Sequence, residues 1–152
     1  MKNFLFKTKS IIIILLLLFI IDRTTKYLAL NKLSTKGVYL FKNFQLQLQT
    51  NPGIAFGIPL PSILIIILTT IIIFFIFLYI IKNIKKERYS DIFFLGLIII
   101  GAISNLLDRI IYKEVTDFIQ ISIWPNFNLA DTYISIGTIL FLIISIKKDP
   151  LS

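Results

Sequence analysis

Two stretches constrain this chain more than anything else in it: "IIIILLLLFII" at 11–21 and "SILIIILTTIIIFFIFLYII" at 62–81. Water drives such runs together unless lipid or a large core covers them. A chain of 152 residues has too little interior to hide several of them. Hydrophobic residues make up 57% of the sequence and charged residues 16%, well to the apolar side of soluble domains. The expectation is a mainly α, integral membrane protein, built as one domain over 1–152.

A hydrocarbon layer of roughly 30 Å needs about 20 helical residues. Segments near 62–81, 91–111 and 131–147 meet or approach that length. The first apolar run alone is too short, so its helix is expected to continue through "DRTTKYLAL", giving a span near 10–30 with Asp22 and Lys26 four residues apart on one face. The alternative is a cleaved signal peptide, since Lys2, Lys7 and Lys9 precede a short apolar run; no small-x-small cleavage site follows it. Lys and Arg collect at the N-terminus, in "IKNIKKERYS" and at Lys147–Lys148, which places these three segments and both termini in the cytoplasm. Lys32, Lys36 and Lys42 lie on the other side and weaken the bias without reversing it. The net charge of +8 is accounted for by topology, so no nucleic-acid partner is expected.

The outer segments, 31–61 and 112–130, are more than loops. "FQLQLQT" at 44–50 alternates apolar and polar residues, as a half-buried strand does. "NPG" at 51–53 follows as turn chemistry, and "GIAFGIP" leads back towards the second span. "VTDFIQISIW" reads as another strand, carrying Trp124 where an interfacial ring belongs. A small extracytoplasmic β platform on a four-helix membrane protein is the resulting architecture.

The chemistry is narrowed by what is missing. With no cysteine and no histidine, disulfides, thiolate sites and the usual general base are excluded, and no metal or cofactor is expected. Proton transfer is left to Asp, Glu, Lys or Tyr. Only 8 residues are acidic, yet Asp22, Asp108, Asp117 and Asp131 all fall at the outer face of this topology. Two close carboxylates in a low-dielectric site share a proton, and such a pair can activate water and protonate a leaving amine. Spacing alone leaves Asp117 and Asp131 equally open to another reading, a solvated loop residue and a helix N-cap. Asp108-Arg109 ends the third span, either as a structural ion pair or as support, with Arg109 orienting carboxylates and Asp108 holding Arg109. Asn105 shares a helix face with Arg109 and can donate to a carboxylate. Asn128 and Asn51 each read as a turn residue or a site residue, and spacing does not separate the two. Asp22 and Lys26 read as a pair stabilising the end of the first helix.

Taken together, "DRTTK" (22–26), "NPGIAFG" (51–57), "GAISNLLDR" (101–109), "VTDF" (115–118) and "FNLAD" (127–131) resemble the bacterial lipoprotein signal peptidase family, signal peptidase II, in order and spacing over nearly the whole chain. The resemblance implies an aspartic endopeptidase of the bacterial cytoplasmic (inner) membrane. Such an enzyme removes the signal peptide of diacylglyceryl-modified prolipoproteins just before the lipidated cysteine, at the extracytoplasmic face. It puts the catalytic dyad on Asp117 and Asp131 and leaves Asp108 out of it. Asn105, Arg109 and Asn128 match supporting polar residues, Asn51 and Gly53 the outer turn, and Asp22 and Lys26 the polar end of the first helix. Its partners are prolipoprotein and membrane lipid, and a monomer is the default.

Two departures from the family pattern carry expectations of their own. Ser104 stands where Gly is frequent, which implies slightly looser helix packing. Glu114 stands where Gly usually precedes "V-x-D-F", which puts the turn's backbone in question if a positive φ is needed. Two other classes were open to the residues alone: a transporter or channel subunit with an acidic cation site, and a membrane scaffold with carboxylates as caps and ion pairs. The first expects carboxylates near the bilayer midplane, and neither accounts for the alternating strand.

Overall fold

The computed structural model describes residues 2–54, 58–84 and 88–148. Residues 55–57 of the glycine motif and Lys85 and Lys86 of the basic segment lie outside the described residues. Four helices, α1 (Lys2–Lys32), α2 (Ser62–Asn83), α3 (Tyr89–Tyr112) and α4 (Leu129–Lys148), carry three strands, β1 (Val38–Phe41), β2 (Phe44–Asn51) and β3 (Val115–Ile121). The mainly helical fold with a small sheet agrees with the sequence reading. α1 runs unbroken through "DRTTKYLAL", as the apolar run alone required. Among the described residues α2, α3 and α4 are long and apolar enough to cross a membrane.

The burial pattern is inverted relative to a water-soluble protein. Side chains such as Ile12, Leu16, Ile67, Phe75, Ile139 and Leu142 face outward, while the largest fully buried side chains include Lys26, Asn128, Thr116, Asp22 and Asp108. In lipid there is no gain from hiding apolar groups and a large cost to exposing polar ones, so polar groups gather inside.

α3 is the axis of the structure, packing against α1, α2 and α4 and most extensively against α4. Small residues permit that approach. A Cβ on Gly101 of α3 would stand 2.5 Å from the Ala130 carbonyl oxygen of α4, and one on Gly137 of α4 would stand 2.6 Å from that of Phe94 in α3. Ser104, which stands where Gly was expected, faces α1. Its hydroxyl is fully buried, donates to Asp22 Oδ2 and accepts from Arg23, so it ties α1 to α3. Glu114 escapes the strain expected of it. The left-handed residue is Lys113, at φ 69°, whose N–H closes α3 onto the Arg109 carbonyl.

The sheet is antiparallel in the order β1-β2-β3. β1 went unread because "VYLF" has no alternation, and all four of its residues are exposed at the sheet edge. The strand expected over "VTDFIQISIW" stops at Ile121. Ser122 turns with φ 51° and Trp124 N–H bonds back to the Ile121 carbonyl. The chain then doubles back, and Phe127 bridges antiparallel to Ile119 at 2.9 and 3.0 Å. That fold-back sets Asn128 beside Asp117.

Candidate active site

α4 begins at Leu129, two residues before the expected start, because the cap is Asn128 rather than Asp131. Asn128 Oδ1 accepts from Asp131 N–H at 2.9 Å, and Asp131 Oδ2 accepts from Asn128 N–H at 3.1 Å. This reciprocal pair is a capping box, with Asp131 in its third helical position. Sequence spacing alone had no means of telling which of the two caps the other. The box uses one oxygen of Asp131, and the other accepts from Asn105 Nδ2 at 2.8 Å.

Asp117 sits on β3, where Val115, Thr116, Asp117 and Phe118 are all buried. Asn128 Nδ2 donates to Asp117 Oδ1 at 2.7 Å and lies 3.3 Å from the Thr116 carbonyl. Asn128 therefore touches both aspartates, one through its backbone and one through its amide. Burial pushes the Asp117 carboxyl from its ordinary 3.8 up to about 7. The charge of Asp131 adds to the rise, against the Asn128 amide, Lys26 and the Asn51 amide. Neither Asp117 nor Asp131 forms an ion pair among the described residues.

Behind them lies a saturated cluster. Asp108 receives Lys26 Nζ at 2.8 Å, Arg23 as a close ion pair, and Thr116 N–H at 3.3 Å. Asp22 accepts from Ser104 Oγ and from Ala130 N–H at 2.8 Å, one of the unpaired donors at the start of α4. Of the expected pairings, Asp22–Lys26 forms and Asp108–Arg109 does not. Lys26 lies 3.7 Å from Asp22 but closer to Asp108, and to Asn105 Oδ1 at 2.7 Å. Asp108 does not hold Arg109, its neighbour in sequence. Successive helical residues point about 100° apart, and Asp108 turns towards α1 instead.

Arg109 reaches the outer turn. Its Nη2 donates to the Gly53 carbonyl at 2.8 Å and its Nη1 to the Asn105 carbonyl, while Nε has no partner among the described residues. Asn51 Oδ1 accepts from Gly53 N–H at 2.9 Å, making the "NPG" segment an Asx turn. A cavity of about 930 Å³ opens over this assembly. Asp117, Asp131, Asn51, Asn105 and Arg109 line it, with Trp124 on its apolar side. Asn128 and Gly53 support that wall from behind, and Asp22, Lys26 and Asp108 form the cluster one layer deeper. Arg23, Ser104 and the Ala130 N–H were missed. Arg23 lies within "DRTTK", yet nothing in one sequence says that its partner is 85 residues away. Among the described residues no group of three or more acidic side chains is arranged to hold a metal ion.

A family model described as signal peptidase (SPase) II matches residues 14–147. A lipoprotein signal peptidase of Thermodesulfovibrio yellowstonii is 40% identical over 152 residues, covering 95% of this chain and 97% of the relative. One from Clostridium tetani is 40% identical over 146 residues, covering 91% and 93%. A bacterial membrane enzyme solved by the in meso method at 2.3 Å resolution is similar with a TM-score of 0.81 at 30% identity, over 94% of this chain and 90% of that one. A match that starts at Ile14 in α1 and ends at Lys147 in α4 takes in every element that builds the cavity, so the chain belongs to the signal peptidase II family and is a membrane peptidase.

Proposed function

We propose that this chain is an aspartic endopeptidase that removes the signal peptide from diacylglyceryl-modified prolipoproteins, cutting before the lipidated cysteine. The observation that carries the reading is that Asp117 and Asp131 line one cavity, bridged by Asn128 and free of any paired cation among the described residues. The whole chain acts as one membrane-embedded domain of the bacterial inner membrane. Its four helices all span, both termini are cytoplasmic, and the cavity faces the extracytoplasmic side. The outward apolar face of α1 over Ile12–Leu17 supports counting it as a fourth span.

The two aspartates take different parts. Asp131 accepts two N–H hydrogen bonds, from Asn105 and from the Asn128 backbone, and takes the carboxylate role in this reading. Asp117, raised to about 7, holds the proton. Asp131 removes a proton from water, whose oxygen attacks the carbonyl carbon before the cysteine, and Asp117 gives its proton to the carbonyl oxygen. Collapse of the tetrahedral intermediate breaks the C–N bond: the proton held on Asp131 goes to the leaving amine, and one hydroxyl proton returns to Asp117 as the new carboxyl C=O forms. Acyl chains remaining in lipid confine the substrate to the membrane plane and raise its local concentration at the cavity. The enzyme works as a monomer.

The test is cleavage of one prolipoprotein, with and without prior diacylglyceryl transfer, read by gel shift in detergent or lipid. Cleavage of the lipidated form only, lost in Asp117→Asn and Asp131→Asn, is expected. Normal processing by either folded variant refutes the dyad, and a well-folded wild type that cleaves neither form refutes the activity.

A further inference from the structure

Lys26 is buried to 1% exposure in the last third of α1, a costly place for an ammonium. The cluster's carboxylates do not depend on it alone. Asp22 also accepts from Ser104 Oγ and Ala130 N–H, and Asp108 from Arg23 and Thr116 N–H. Asn105 is placed differently. Its amide stands between Lys26 Nζ, 2.7 Å from its Oδ1, and Asp131 Oδ1, 2.8 Å from its Nδ2. A primary amide can turn over with almost no change of shape, exchanging an acceptor for a donor. Turned over, it would aim its oxygen at Asp131. Asn128 Nδ2 also approaches Asn105 Oδ1, at 3.3 Å, but that amide makes its shortest bond to Asp117. A lysine ammonium has three donors and no acceptor, so it accommodates only the amide oxygen.

We propose that Lys26 is a positioning residue for peptide cleavage: by donating to Asn105 Oδ1 it fixes which way that amide faces and keeps an N–H donor on Asp131. This rests on reading Asp117 and Asp131 as the catalytic pair. The ammonium acts on the reaction through Asn105 and not by touching substrate. The charged groups around this amide are Asp22 and Arg23 from α1, Asp108 and Arg109 from α3, Asp117 from β3 and Asp131 from α4.

Two substitutions and one spectrum test it. Lys26→Met keeps the length of the side chain and removes its donors; Lys26→Gln restores an N–H donor without the charge. On lipidated precursor, Lys26→Met is expected to lower kcat tenfold or more with KM within twofold of wild type, and Lys26→Gln to recover several-fold of that loss. Wild-type kcat in Lys26→Met overturns the proposal, as does a Lys26→Gln variant no better than Lys26→Met. Should either variant fail to fold, the wild type still decides. With 15N-labelled asparagine, the Asn105 side-chain amide, identified by its loss in Asn105→Ala, is expected to shift as the aspartate pair titrates. An Asn105 amide indifferent to that titration overturns the proposal without reference to activity. Failure of wild type to cleave the precursor counts instead against the proposed function.

Discussion

The molecule buries two pairs of aspartates in adjoining places and treats them in opposite ways. Asp22 and Asp108 are surrounded by Arg23, Lys26, Ser104 and two backbone N–H groups. Asp117 and Asp131 receive only asparagine amides and a backbone N–H. The first pair is charge-balanced and enclosed, as buried ions must be. The second forms no ion pair among the described residues and opens onto a cavity, where two carboxylates cannot both ionise cheaply. On the proposed reading, one residue type serves as mortar in one pair and as reagent in the other, and the surroundings make the difference. A perturbed carboxylate in a cleft is a functional signal; a saturated one is a structural signal.

Substitution by asparagine separates the pairs most sharply. Asp117→Asn is expected to cut processing by a factor of about 1,000 or more, with the fold retained, since only the proton donor is lost. Asp108→Asn is expected to destabilise by about 3–5 kcal/mol, because Arg23 and Lys26 are left without their shared anion. Processing rates and thermal unfolding of the two variants in detergent check both. Equal loss of stability in both would erase the contrast.

The pH dependence sharpens it further. With its carboxyl raised to about 7, Asp117 binds its proton more tightly in the folded than in the unfolded chain. Its contribution to stability is therefore full below about pH 4 and is lost as pH rises through about 7, by at most about 4 kcal/mol. Asp117→Asn should then gain stability relative to wild type at pH 8.5 and show no such gain at pH 4. Wild-type activity should fall above pH 7 as Asp117 loses its proton. Unfolding midpoints and rates measured across that range check the sign.

Two smaller effects probe what holds the pairs in place. Gly101→Ala drives a methyl group into the Ala130 carbonyl, next to Asp131, and is expected to cost about 1–3 kcal/mol and slow cleavage as α3 and α4 separate. Lys113→Gly relieves the left-handed backbone at the end of α3. The relief of about 1–2 kcal/mol is partly offset by glycine's entropy of about 0.5–1, leaving a gain of up to about 1.5 kcal/mol with activity unchanged. Comparison of melting temperatures and initial rates with wild type checks both.

Much of the fold was legible because the signals are local. Apolar run length marks α2, and the continuation through "DRTTKYLAL" marks the length of α1. Alternation in "FQLQLQT" marks β2. Asp117 and Asp131 were singled out by scarcity and by the motifs around them, and the structure places both on one cavity. Reading failed where the signal is long-range or absent. β1 is apolar on both exposed faces and so has no period, and the turn at Ser122 is set by a backbone conformation that serine seldom signals.

The sequence by itself determined the medium and narrowed the reagents: helices too greasy for water, and an acid–base chemistry left to Asp, Glu, Lys or Tyr because histidine and cysteine are missing. Tertiary structure alone decided the assignments. It decided that Asn128 caps Asp131, that Asp108 serves Arg23 and Lys26 rather than Arg109, and that Lys26 meets Asn105 79 positions away and Asp22 meets Ala130 108 positions away. Helix starts, turns and apolar runs depend on neighbours in the chain, which a sequence displays. The state of a carboxylate depends on which charges and amides the fold brings within about 3 Å, and those come from elements far apart in sequence.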